Sequence, residues 1–312
     1  MDIEILLALQ NFRNGLGEIF VNFFYKMTSA GNLDAVVVVF AVIYWCFSKN
    51  YGTYLLMGWS GNRIVNGFLK VTACSYRPWI RNSAIIPHGN AMKEATGYSF
   101  PSGHSMNAAT LFGGAAVRKD FPKGLRIISF VVVLLVAFSR IYLGVHTPQD
   151  ILVGIIAGLL VMWLTFKLMQ WLESHPDKDL LVASVGIILA VAVAVYAAVK
   201  SYPVDYDANG KILVDGAKMA NDTFKAVGWS TAFLIGWILE RRYVKFSTDV
   251  STFKKAARLI AGLLSYYVVY LIICPLVRKY IPGAVGTTAS SFLQMFYISF
   301  CFPYCFKRYE SN

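Results

Sequence analysis

Long apolar runs alternate with short polar breaks along this chain, and the spacing predicts a helical protein. Residues 2–29 read as one amphipathic helix lying in a membrane interface. Ile5, Leu9, Phe12, Leu16, Ile19, Phe20 and Phe23 recur at helical spacing, while Glu4, Arg13, Asn14, Glu18 and Lys26 interrupt them. Apolar segments read as membrane spans follow at 33–47, 52–72, 102–117, 126–144, 149–171, 180–199, 224–239, 258–277 and 287–306. The count is about nine transmembrane helices. A polar, aromatic loop over 73–101 holds Arg77, Trp79, Arg81, His88, Lys93 and Glu94. A second extramembrane loop covers 201–222, and there Asn209-Gly210, flanked by Tyr206 and Ile212, predicts a hairpin. No internal repeat and no low-complexity linker is visible.

Composition agrees with the pattern. Of the 312 residues, 57% are hydrophobic and 15% charged, and the mean hydropathy is +0.54. Those values exclude a soluble globule and describe a polytopic membrane protein. The net charge of +12 does not indicate nucleic acid, because no basic stripe or motif accompanies it. Five cysteines show no CxxC or Cys/His ligand spacing, so neither a disulfide framework nor a zinc site is expected. The N-terminus lacks the basic n-region and cleavage site of a signal peptide.

The distribution of charge gives an orientation. Arg118, Lys119, Lys123 and Arg126 cluster in one loop, and Arg241, Arg242, Lys245, Lys254, Lys255 and Arg258 in another. With nine spans both loops fall on one side, expected to be the cytoplasm. The 73–101 loop and the 144–148 turn then face the exterior of a cell-membrane protein. Within the second span Asn62, Asn66 and Lys70 form a polar stripe at i, i+4, i+8, with Arg63 beside it. A charge at mid-bilayer costs about 2.5–3.5 kcal/mol, so Arg63 should face protein or water. Asn62 and Asn66 read as interhelical hydrogen-bonding residues.

Three clusters carry candidate chemistry. The first is Lys70 with Arg77-Pro78; the second is Pro101-Ser102-Gly103-His104; the third is Ser139-Arg140 with His146 and Asp150. Lys70 supplies point charge, and Arg77 and Arg140 supply bidentate forks, a set suited to a phosphoryl group. Interfacial snorkelling explains any one of these cations, but not three flanking two histidines. Ser102 can cap a helix, Gly103 lets backbone approach a ligand, and helix-start amides attract anions. His104, on the first turn, can reach a leaving oxygen. Thr147 and Pro148 predict a helix start, for which Asp150 is either the capping-box acid or the carboxylate that orients His146.

Together the clusters read K-x6-R-P, P-S-G-H and S-R-x5-H-x3-D over residues 70–150, about a quarter of the chain. This signature resembles that of the type 2 phosphatidic acid phosphatase superfamily, with every fixed position present. The resemblance implies an all-α, polytopic membrane helical bundle with a catalytic core like that family's and extra C-terminal helices. It implies metal-independent phosphate ester hydrolysis with no cofactor: His146 attacks phosphorus, Asp150 orients it, and His104 protonates the leaving group. Lys70, Arg77, Arg140, Ser102 and the Gly103 amide would hold the phosphate oxygens. The expected division is an interfacial helix at 1–30, a catalytic core at 31–200 and additional helices at 201–312. The expected partners are membrane lipids and a lipid phosphate or diphosphate, such as phosphatidate or a polyprenyl diphosphate. The superfamily includes soluble vanadate-dependent haloperoxidases, set aside on composition, and glucose-6-phosphatase. The latter keeps a soluble sugar phosphate open as an alternative, by hydrolysis or phosphotransfer. The C-terminal helices are expected to shape a lipid access groove, to support a homodimer, or to take no part in catalysis. A degenerate transporter or scaffold would be expected to have lost His104, His146 or Asp150, and all three are present.

Overall fold

Every regular element in the computed structural model, which describes residues 2–29 and 33–311, is helical except one isolated antiparallel bridge between Tyr206 and Ile212. The helices are α1 (Asp2–Gly15), α2 (Glu18–Ser29), α3 (Leu33–Val42), α4 (Lys49–Ala73), α5 (Pro78–Arg81) and α6 (Ala91–Glu94). Then follow α7 (Gly103–Leu111), α8 (Gly113–Ala116), α9 (Lys123–Tyr142), α10 (Pro148–Ser174) and α11 (Asp179–Val199). The chain closes with α12 (Gly216–Leu239), α13 (Thr252–Val268), α14 (Cys274–Tyr280), α15 (Gly283–Phe296) and α16 (Phe302–Ser311). The bridge is the hairpin expected at Asn209-Gly210. Gly210 sits at φ +75°, and the Asp207 and Gly210 amides close the turn on Lys211 O and Asp207 O.

Among the described residues four segments are long and apolar enough to cross a membrane: Lys123–Tyr142, Pro148–Ser174, Pro176–Val199 and Thr252–Tyr280. By that measure the count of nine is not reproduced. The span expected at 102–117 is two short helices that meet at Phe112. The Gly113-Gly114 pair favours a break there, and a Cβ on Gly113 would lie 2.5 Å from Leu159 Cδ2. The span expected at 287–306 is divided by a π turn over Tyr297–Cys301. Residues 30–32, between the first two expected segments, lie outside the described residues.

The chain forms two compact units. The first contains residues 1–36, 65–164 and 200–219; the second contains 37–64, 165–199 and 220–312. In the first unit the N-terminal segment departs from expectation. It is two helices, α1 and α2, parted at the glycine-flanked Leu16, and its charged positions are not all on a solvated face. Arg13 is buried and donates to Tyr142 O at 3.0 Å and Ile86 O at 2.8 Å. Leu6 packs with Ile85 and Ile141, while Val21 packs with Ala91, Tyr142, Leu143 and Val145. The N-terminal helices are therefore a support for the 82–97 loop and the end of α9. Burying Arg13 is tolerable because its two Nη groups satisfy carbonyls that no helix uses.

In the second unit several buried polar groups are paired with one another. Arg258 meets Glu310 (Nε–Oε1 2.8 Å, Nη2–Oε2 2.6 Å) and donates to Trp45 O at 2.9 Å. Lys49 meets Glu240 at 2.6 Å. Trp229 donates to Gln294, whose amide donates to Tyr266 Oη, both at 2.7 Å. Arg63 lies over the Trp229 ring at 5.8 Å, facing protein as the cost of a lipid-facing charge requires.

Candidate active site

All the candidate residues fall in the first unit. His146 stands in the turn between α9 and α10. The turn is made at Gly144, whose φ of +76° is cheap only for glycine, and the Gly144 amide closes on Ile141 O. α10 then starts with a reciprocal capping box: Thr147 N donates to Asp150 Oδ2 at 2.8 Å, and Asp150 N donates to Thr147 Oγ1 at 3.3 Å. The same Oδ2 lies 3.3 Å from His146 Nδ1. The two roles weighed for Asp150, helix cap and histidine partner, are thus filled by one oxygen.

The tautomer follows from the other side of the ring. Arg77 Nη1 is 2.8 Å from His146 Nε2. A guanidinium can only donate, so Nε2 presents its lone pair and Nδ1 carries the proton toward Asp150. Burial, and secondly the adjacent Arg77 charge, hold the imidazole pKa well below its usual 6.5. His146 is a neutral ring with an oriented lone pair.

Arg77 is itself fixed by backbone. It donates to Gly97 O (3.0 Å), Val145 O (3.0 Å) and Thr96 O (3.1 Å), and its charge lies 5.9 Å from the Trp79 ring centre. Burial and the neighbouring Arg140 lower its pKa to about 9, so it remains a cation at neutral pH. Arg140, on the last turn of α9, is also buried, and Nη1 donates to Thr28 Oγ1 at 2.6 Å. Among the described residues its Nε and Nη2 have no hydrogen-bond partner. Leaving two donors of a buried cation unpaired is costly in a structural arginine. It suits an arginine whose partner is a ligand anion.

Lys70 Nζ donates to Tyr98 O at 2.7 Å and to Ser99 O at 3.5 Å, which ties the end of α4 to the stretch of loop before Pro101. Ser102 caps α7 by accepting from Ser105 N at 3.3 Å, and its own amide donates to Asp150 O at 2.9 Å. The starts of α7 and α10 are therefore joined directly. A Cβ on Gly103 would meet only Asn66 Oδ1, at 3.8 Å, so protein packing does not demand a glycine there. His104, on the first turn of α7, is half-buried and within electrostatic reach of Lys70, Arg77, Arg140 and His146. The structure thus brings together both histidines, three cations and the carboxylate. Asn66, expected to bond across helices, donates to Pro101 O at 3.4 Å and to Met106 Sδ at 3.2 Å.

Three features escape the sequence reasoning. Ser99 Oγ donates to Asp150 Oδ2 at 2.5 Å and lies 3.4 Å from His146 Nδ1, so it helps fix the carboxylate. Thr28 positions Arg140 from α2. Nothing local marks either residue, because each acts across more than fifty positions of chain. The third has a legible signal, the Gly154-x3-Gly158 spacing on α10. A Cβ on Gly154 would stand 2.9 Å from Ser102 O, and one on Gly158 would stand 2.6 Å from Ala109 Cβ. This small-residue seam lets α7 approach α10 closely enough for the Ser102–Asp150 bond.

The PAP2 superfamily pattern matches residues 49–174, and the PAP2 superfamily phosphatase transmembrane extension matches residues 224–312. Phosphatidylglycerophosphatase B of Bacillus subtilis is 31% identical over 157 residues, which is 48% of this chain and 73% of that protein. The chain belongs to the PAP2 superfamily. It is a membrane phosphatase of that family. The undecaprenyl-diphosphatase of Sulfolobus acidocaldarius is 34% identical over 85 residues, 27% of this chain and 39% of that protein. The crystal structure of a transmembrane PAP2-type phosphatidylglycerolphosphate phosphatase from Bacillus subtilis is 27% identical. It covers 54% of this chain and 84% of its own, with a TM-score of 0.45.

Proposed function

We propose that this PAP2 phosphatase hydrolyses a lipid phosphate or diphosphate through a phosphohistidine on His146. The observation that carries the reading is the His146 ring: Nδ1–H on Asp150, the Nε2 lone pair turned toward Arg77, and Arg140 beside it with two unpartnered donors. Nε2 attacks phosphorus while the bond to the ester oxygen breaks, and His104 gives that oxygen a proton. Water then attacks the phosphohistidine, His104 takes the proton, and inorganic phosphate leaves. Lys70, Arg77, Arg140, the Ser102 hydroxyl and the Gly103 amide hold the phosphoryl oxygens. They stabilise the extra charge of the five-coordinate transition state. None of these steps calls on a metal ion.

A lipid substrate is supported by the names of the two relatives described above and by the site's place at the ends of α4, α9 and α10. Polyprenyl diphosphate, phosphatidate and phosphatidylglycerophosphate are the substrate candidates. In our reading the 73–101 loop and His146 face the exterior of the cell membrane, with the basic loops near 118–126 and 241–258 in the cytoplasm. The catalytic segment is 31–200, preceded by the N-terminal helices at 1–30, and the helices of 201–312 serve lipid access or a homodimer.

The test is phosphate release by purified protein in detergent micelles with excess chelator, each substrate run beside His146→Ala. Polyprenyl diphosphate, phosphatidate, phosphatidylglycerophosphate and glucose 6-phosphate make up the panel. The expected result is chelator-resistant, vanadate-sensitive release from a lipid, absent in the variant. Preference for glucose 6-phosphate, or loss of activity on chelation, would overturn the reading.

A further inference from the structure

One cavity of the first unit, about 400 Å³, is lined by Arg77 but not by His146. Its other walls include Trp79, Gly97, Lys211, Lys218 and Met219. The 205–219 segment that closes it is fastened to the 76–98 loop at three places. Tyr76 Oη donates to Asp205 Oδ2 at 2.5 Å. The Tyr98 amide donates to Met219 Sδ at 3.4 Å. Gly97 receives the Met219 side chain so closely that a Cβ there would lie 2.2 Å from Cε. The hairpin at Asp207–Lys211 and the start of α12 are thereby held against the same loop that carries Arg77.

The charges on this cavity are unequal. Arg77, Lys211 and Lys218 face it with a single carboxylate, Asp215, and that carboxylate already caps α12 by accepting from Ala217 N and Lys218 N. Arg77 directs hydrogen bonds to three carbonyls and His146, so toward this cavity it contributes mainly its charge. The two lysines are exposed and long enough to follow an anion into the space. A cavity with two flexible ammonium groups next to a fixed guanidinium recognises a phosphoryl-type anion by point charge rather than by shape.

We infer that this cavity is a second anion subsite, in which Lys211 and Lys218 select substrates carrying another phosphate or phosphodiester next to the scissile phosphoryl group. This rests on the phosphatase reading above and narrows it: phosphatidate, with one phosphate, leaves the cavity unused. A lipid diphosphate and phosphatidylglycerophosphate both fill it.

The test has a binding arm and a turnover arm, both on the full chain in detergent. In the first, inorganic pyrophosphate and inorganic phosphate are titrated calorimetrically into wild type and Lys211→Gln/Lys218→Gln. Wild type should bind pyrophosphate about tenfold more tightly than phosphate, the worth of one charge-assisted contact, and the double variant should lose that preference. In the second, kcat/KM for polyprenyl diphosphate and for phosphatidylglycerophosphate is divided by kcat/KM for phosphatidate. One or both ratios should fall about tenfold in the variant, and which one falls identifies the source of the second anion. Lys211→Arg/Lys218→Arg should keep the preference. A pyrophosphate preference retained in the glutamine variant, or both ratios within about twofold of wild type, would overturn the subsite. If no substrate is turned over, the phosphatase reading fails, and the pyrophosphate arm still decides the subsite.

Discussion

Arg140 in the first unit and Arg258 in the second are both buried arginines at a helix, yet they are treated differently. Arg258 has a bidentate carboxylate, Glu310, two backbone carbonyls on Nη1 and the Phe306 ring at 4.1 Å. Its hydrogen bonds are complete within the protein. Arg140 has one threonine hydroxyl, and two of its donors are unpartnered among the described residues. Arg77 likewise has carbonyls and a neutral histidine but, among the described residues, no carboxylate within ion-pair distance. Asp150, the carboxylate that acts on Arg77, is committed to His146, Ser99 and the Thr147 amide, and Glu94, which acts on Arg140, accepts from Tyr25 Oη at 2.7 Å. Burying a charge without its counter-ion is expensive, so a fold keeps such a group when an incoming anion completes it. Arg258 is a cation completed by its own fold, and Arg140 is one left for an incoming anion to complete.

The sharpest test of that contrast is loss of the nucleophile. His146→Ala should lower kcat by about 10⁴-fold or more and abolish the phosphoenzyme. Rapid-quench trapping under alkaline conditions would detect it, and residual turnover near wild type would remove His146 from its role. Arg140→Ala comes next, with kcat/KM down about 10²–10³-fold. Its thermal midpoint should change little, because an unsatisfied buried charge is being removed. A large fall in the midpoint with near-normal kcat/KM would make Arg140 a structural residue like Arg258.

The pH profile sharpens the same comparison. Burial and the Arg77 charge depress the His146 pKa, so the reactive neutral ring persists below the usual 6.5. The acid limb of kcat/KM should therefore lie below pH 6.5. Taking away a positive neighbour favours the imidazolium, so Arg77→Gln should move that limb upward as well as slowing the reaction. A limb that stays in place would show that Arg77 does not act on the ring. The smallest catalytic effect belongs to Arg258→Ala. Breaking its pair should cost about 3–5 kcal/mol of stability while kcat/KM per folded molecule stays within about twofold. Chemical denaturation beside active-site titration separates the two.

Much of the site is legible in the sequence, because its residues come in short clusters whose spacing is local. Gly144, Thr147, Pro148 and Asp150 determine a turn and a helix cap within one turn of His146, and the capping box forms as the spacing predicts. The hairpin at Asn209-Gly210 is equally local. The N-terminal segment is less legible. Its apolar spacing reads correctly as helical, but the pattern does not distinguish lipid from protein as the covering phase. Arg13 and Thr28, which look like polar trim, are buried partners of the loop and of Arg140. By hydropathy the 102–117 and 287–306 segments read as continuous, since an apolar run looks the same whether or not a glycine pair or a π turn interrupts it.

By itself, the sequence determined the helical membrane character, the family signature and which residues could carry phosphate chemistry, since all three are written in neighbouring positions. Only the tertiary structure decided the proton's place on His146, the sharing of one Asp150 oxygen among three donors, the unpartnered donors of Arg140, and the cavity that sets Lys211 and Lys218 beside Arg77. Each of these depends on atoms brought together from segments far apart in the chain. Hydrogen bonds and charges act over a few ångströms of space, whatever the distance in sequence.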